Sequence, residues 1–160
     1  MADKDPFTQV LEALWSLLEQ HEPFADLVKP GNRVKFHEDP RLKQQARAAD
    51  TPEVRIVAGE VSPHLFRTST SSTIERTFRI EVSTNDLRIT AAAFPVEWAI
   101  LVAVAGAKDA LEGLAFVRQV RPISGEVPGP DPAERTDGWH TVVALNVMMT
   151  FPRPLVAADD

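Results

Sequence analysis

Apolar residues near the start of the chain recur at helical spacing. Phe7, Val10, Leu11, Leu14, Trp15 and Leu18 are three or four positions apart, which puts all six on one stripe of a helix. Asp5 is placed to cap and Pro6 suits the first helical position, so the pattern predicts an amphipathic helix over residues 6–21. Residues 22–29 add a short second turn carrying Phe24, Leu27 and Val28. Pro30-Gly31 suits the centre of a type II turn, with glycine supplying a positive φ. Residues 33–36 alternate and predict a short strand. Residues 37–52 form a long polar connection with few core-forming side chains.

The pattern then changes to period two. Val54, Ile56 and Ala58 point one way in a strand over residues 53–59. The signal is clearer over residues 74–83, where Phe78, Ile80 and Val82 share a face and Thr77, Arg79, Glu81 and Ser83 take the other. This strand is expected to offer Arg76, Arg79 and Glu81 outward. Between the two strands, residues 60–73 read as a long hairpin loop ending in the hydroxyl run Thr68-Ser-Thr-Ser-Ser-Thr73. Residues 116–121 predict another strand. Residues 122–138 carry Pro122, Pro128, Pro130 and Pro132, a density that argues for an exposed loop outside the sheet. Trp139, Thr141, Val143, Leu145, Val147, Met149 and Phe151 then alternate without a break. At about 3.3 Å per residue this strand exceeds ~40 Å, and its apolar face requires a central place in the sheet.

Residues 95–105 are apolar all round apart from Glu97, the mark of a helix buried in a core or crossing a membrane. The segment is alanine-rich, carries Pro95 and Glu97 and stands alone, so the core reading is preferred. Trp15 and Trp98 read as core anchors, whereas Trp139, at the head of a strand beside a charged loop, is the better interface candidate. Strands joined by long loops, with helices gathered together, specify an α+β two-layer sandwich. Its sheet is mainly antiparallel, with two principal helices packed on one face. The reading is of a single domain over 1–160, with a folded core over 5–152 and a loose tail at 153–160.

Composition narrows the chemistry further. The chain has 160 residues, 44% of them apolar and 25% charged, with no cysteine, so disulfides and thiolate metal sites are excluded. A net charge of −6 argues against general nucleic-acid affinity. The opening MADKDPF lacks the basic and apolar regions of a secretory signal. The four histidines include no pair at helical metal-binding spacing, and His37-Glu38-Asp39 reads as a solvated loop. Ser124-Gly125 lacks the flanking glycine of a nucleophile elbow. Ala105-Gly106-Ala107-Lys108 lacks the first glycine and the final hydroxyl of a phosphate loop, and Gly106 reads as a helix cap. The hydroxyl run also lacks a glycine-rich turn. No catalytic, cofactor or metal residue is assigned.

The elements in this order carry a family resemblance. The helix DPFTQVLEALWSLLEQ leads to the basic turn and strand KPGNRVKF, then to the pair EVRIVAG and TIERTFRIEVST. The apolar helix PVEWAILVAVAG and the closing pair FVRQVR and WHTVVALNVMMTF follow. The layout resembles the tail terminator, or tail completion, proteins of tailed bacteriophages, or a related head–tail connector component. The resemblance implies a non-enzymatic virion protein without a cofactor, assembled in the host cytoplasm as a hexameric homo-oligomeric ring. The ring would stop tube growth at the head-proximal end of the tail and meet the tail-tube and connector proteins. DNA would pass through it without specific binding, and no membrane would be involved. It also implies intersubunit contacts from the arm at 37–52, with Arg41 and Lys43, and from the hairpin loop at 60–73, with Arg67. Arg76, Arg79, Glu81 and Trp139 complete the candidate contacts. The other class of function open to such a chain is a small ligand-binding domain or enzyme with a pocket between sheet and helices, served by His64 or His140.

Overall fold

The computed structural model describes residues 4–35, 52–62, 66–67, 71–84, 89–123, 129–130 and 139–152. Most of the arm at 37–52, with Arg41 and Lys43, lies outside them, as do Thr68 to Thr70, most of the Pro-rich loop and the tail.

The predicted first helix is α1, Pro6–Gln20. Asp5 caps it in extended geometry, its carboxylate accepting from the Thr8 amide at 2.9 Å and the Thr8 hydroxyl at 2.7 Å. Both bonds to Thr8 hold the Asp5 carboxyl below the usual range. Val10, Leu11, Leu14, Trp15 and Leu18 are buried, and Phe7 packs at the margin. Burying those five side chains contributes on the order of 10 kcal/mol, an upper figure for an extended unfolded chain. Next comes α2, Glu22–Leu27, which buries Phe24. Pro30–Asn32 then forms a single 3-10 turn in which Gly31 does not take a positive φ, so the expected type II turn is corrected.

The strands are β1 (Arg33–Val34), β2 (Glu53–Val61), β3 (Phe66–Arg67), β4 (Ser71–Thr84), β5 (Val117–Ile123), β6 (Gly129–Pro130) and β7 (Trp139–Pro152). They make one sheet of order β1-β2-β4-β7-β5, antiparallel except where β1 runs parallel to β2. β7 is therefore paired on both sides, as its apolar face requires. β3 pairs with β4 beyond the end of β2, and β6 pairs with β7 beyond the end of β5. The hairpin loop is accordingly shorter than predicted. Ser71, Ser72 and Thr73 of the hydroxyl run are strand residues, and Ser72 is buried.

Part of the Pro-rich segment also enters the sheet. Pro122 pairs opposite Leu145 within β5, and Pro130 opposite Trp139. A proline has no amide to donate but is tolerated on an edge strand, and among the described strands β5 and β6 each pair on one side only, with β7.

The helices after β4 are α3 (Ile89–Ala92), α4 (Phe94–Val104) and α5 (Ala107–Glu112). The last was not predicted. Gly106, read as a helix cap, lies between α4 and α5 and joins them with φ −87°, in right-handed geometry. Val54, Ile56, Ile74, Phe78, Ile80, Val82, Val143, Leu145, Val147 and Met149 form the core face of the sheet, in one cluster with buried residues of α1, α2, α4 and α5. Phe116 stacks on Phe151 at 5.8 Å at the edge of that cluster. The fold is the α+β two-layer sandwich expected.

One candidate contact changes sides. Arg76 shares the parity of Ile74 and Phe78, so period two turns it toward the helices, not outward. There its Nε donates to the Gly59 carbonyl at 2.8 Å, and its guanidinium sits 4.6 Å from the centre of the Phe7 ring. The β2–β4 register shifts between Ala58 and Val61, and Arg76 serves a carbonyl within that irregular stretch. The backbones are close here: a Cβ on Gly59 would come 3.3 Å from the Thr77 carbonyl oxygen.

Chemical denaturation checks this placement. Phe78→Ala is expected to cost about 3–5 kcal/mol of unfolding free energy. Arg76→Ala is expected to cost about 1–3 kcal/mol through the lost charged hydrogen bond. Arg79→Ala, on the opposite face, should stay within about 1 kcal/mol of the parent. Equal losses at 76 and 79 would contradict the inward position of Arg76.

Candidate interaction surfaces

Among the described residues, three surfaces present chemistry to solvent. The first lies on α4, whose buried residues Val96, Ala99, Ile100 and Ala103 hold it to the core. The helix is apolar on its other side as well. Phe94, Trp98, Leu101 and Val102 are 46%, 68%, 43% and 42% exposed. The prediction that Trp98 anchors the core is therefore corrected. Trp15, in contrast, is a core residue with 2% exposure. At 100° per residue the four exposed side chains span a stripe about 100° wide, opposite the buried one. A helix apolar all round thus has a third possibility besides a core or a membrane. No helix among the described residues is long and apolar enough to cross a membrane.

The second surface is the face of the sheet turned away from α1, α2, α4 and α5. By register it carries Arg55, Arg79 and Arg121 with Glu75 and Glu81, together with Val57, Val142 and Met148; Glu53 shares this parity but is buried. Arg55 lies directly opposite Glu81 on the neighbouring strand and donates to it at 2.8 Å. Arg121 reaches Glu75 at 3.3 Å, and the Thr73 and Thr150 hydroxyls meet at 3.0 Å. The Arg121–Glu75 pair is exposed and contributes about 0–1 kcal/mol, whereas Arg55–Glu81 and the threonine pair are partly buried.

The third surface is a groove of about 500 Å³ along α1, lined by Lys4, Glu12, Trp15, Ser16, Glu19, Gln20 and Lys35. Both lysines are paired, Lys4 with Glu12 at 2.6 Å and Lys35 with Glu19. No strand of the core sheet lines the groove, so it is not the interlayer pocket a ligand-binding domain of this layout would use. Between the layers lies the continuous core.

Beside the groove is an arrangement that the sequence did not signal. Arg33 is buried, and its Nε and one terminal nitrogen donate to the Val28 carbonyl at 3.0 and 2.7 Å. The same terminal nitrogen reaches the Ala25 carbonyl at 3.3 Å, and the other reaches Glu19 at 2.9 Å. Its guanidinium lies 5.7 Å from the Phe24 ring centre. One side chain thus satisfies carbonyls at the C-terminal end of α2, where positive charge is favoured, and ties α2 to α1 and β1.

Of the candidate contacts, Arg79 and Glu81 do share the outer sheet face. Arg76 does not join them. Arg67 lies in β3 and Trp139 opens β7, but their side chains are outside the described residues. His64 lies outside them too. No group of three metal-ligating side chains occurs among the described residues. No protein-family model matches the chain, and neither does the sequence of any curated protein.

Glu19 gives the arrangement a pH signature. Burial pushes its carboxyl up, but the hydrogen bonds and charges of Lys35 and Arg33 outweigh this and hold it below the ordinary 4.5. A lowered folded-state pKa adds stability above the unfolded value and loses it as pH falls through the folded value. Glu19→Gln is therefore expected to be less stable than the parent at pH 7, with the gap closing below about pH 4.5. Urea unfolding at several pH values measures this, and a constant gap down to acid pH would contradict it.

Proposed function

We propose that the chain is a non-enzymatic structural protein that works by assembling with copies of itself, in the manner of a phage tail terminator. The observation that carries this reading is that, among the described residues, α1, α2, α4 and α5 cover one face of the sheet and no helix covers the other. Its long β4–β7 pair leaves a broad outer face with both signs of charge, including the sequence-chosen Arg79 and Glu81. A ring closes through a heterologous contact, one patch meeting a different patch on the next copy. A face carrying both signs alongside Val142 and Met148 is suitable material for one side of such a contact. In this reading the ring stops tube growth and offers a docking surface to the tail-tube and connector proteins, with DNA passing through its centre.

Native mass spectrometry and light scattering test the reading. The expected outcome is a closed, ring-sized species, a hexamer by the family resemblance, whose population falls as salt screens the charged face. A strict monomer at every concentration, with tail-tube protein present as well as absent, would overturn it.

A further inference from the structure

We infer that the exposed stripe of α4 is a second contact between copies of this chain, one that pairs them across a two-fold axis. The first argument is area. From their exposures, Phe94, Trp98, Leu101 and Val102 offer on the order of 400 Å² of accessible surface. A standard interface takes about 800 Å² from each partner, of which about 57% is apolar, or about 450 Å². The stripe alone nearly supplies one partner's apolar share.

The second argument is self-complementarity. Phe94 and Val102 lie four residues to either side of Trp98, about 6 Å each way along the axis. An antiparallel pairing of two α4 helices centred on Trp98 sets Phe94 of each copy against Val102 of the other, with Leu101 alongside. That is an isologous contact, in which one patch serves both partners. The stripe holds no charged residue, so pairing buries no charge. A lipid surface is the poorer occupant, because interfacial helices carry Lys and Arg on their polar side. α4 has neither, its one charged residue is Glu97, and the chain's net charge is −6.

This inference goes beyond the ring, which needs a heterologous contact elsewhere, and the two fail separately. Sedimentation equilibrium of the full chain and of Trp98→Glu, with parallel circular dichroism to confirm folding, tests it. A central tryptophan commonly dominates an interface, so the variant is expected to dissociate about thirtyfold more readily or worse. If both contacts exist, the largest wild-type species halves in mass in the variant. If only the α4 contact exists, the wild type stops at twice its monomer mass of 17.6 kDa and the variant is monomeric. A wild-type assembly whose mass Trp98→Glu leaves unchanged overturns the α4 contact and leaves the ring standing. A wild type that is monomeric throughout overturns the α4 contact, and overturns the ring as well where it stays monomeric with tail-tube protein present; a monomer that instead sediments with phosphatidylcholine–phosphatidylglycerol vesicles through Trp98 overturns the α4 contact.

The absence of native cysteine allows an orthogonal check. Under mild oxidation, Phe94→Cys and Val102→Cys proteins should cross-link efficiently when mixed and poorly when each is alone. Cross-linking that is no better in the mixture overturns the two-fold geometry.

Discussion

The rest of the structure depends on the β4–β7 ladder. It runs without a register break from Ser71 opposite Pro152 to Thr84 opposite Trp139. Because side chains alternate strictly, that one register assigns a face to every residue of both strands. Ile74, Phe78, Ile80 and Val82 align with Met149, Leu145, Val143 and Thr141, and the helices have an apolar floor to cover. A slip of one residue would put Glu75, Arg79 and Glu81 against α1 and α4 and leave the core face to solvent. The two-sided character of the sheet, apolar inside and ion-paired outside, follows from this ladder.

The same rule explains what could be read from the chain alone. β4, β7 and α1 were legible because each repeats its pattern over many residues, so a single exception does not hide the period. The side of Arg76 was legible too, from its even spacing to Phe78; its charge suggested solvent, and parity decides otherwise. β3, β6 and α5 were not legible. Two-residue strands have no period, and α5, Ala107–Glu112, is too short to show one. They are held by neighbours already in place: β3 by the end of β4, β6 by the start of β7, and α5 by the burial of Ala107 and Leu111. The position of Trp98 was hidden for a different reason. A helix apolar on both sides has no amphipathic stripe, so its pattern does not say which side meets the core.

Arg33 illustrates chemistry that no local pattern announces. Two residues of strand follow a 3-10 turn, and nothing in KPGNRVKF marks the arginine as buried. Its role depends on α2 ending where it does, with the Ala25 and Val28 carbonyls directed at one guanidinium. A buried arginine is costly without partners. Here two backbone carbonyls, a carboxylate and an aromatic ring surround it. Glu19 is shared between Arg33 and Lys35, so α1, α2 and the segment containing β1 are joined through one carboxylate. The corner of the molecule around α2 and β1 is thus fixed by polar contacts.

The two outer surfaces differ in physical kind, and this separates their possible roles. The sheet face already satisfies much of its charge internally, through Arg55–Glu81 and Arg121–Glu75. A partner there exchanges or adds ion pairs, so the contact is specific in orientation and sensitive to salt. The α4 stripe has no such internal satisfaction. Its four side chains gain by leaving water, whatever the ionic strength, and excluded salts such as sulfate strengthen that gain. A fold needs only one apolar side on a helix to anchor it, and Val96, Ala99, Ile100 and Ala103 already supply that for α4. The second apolar side adds nothing to the monomer. Its free energy is realised only when another surface covers it.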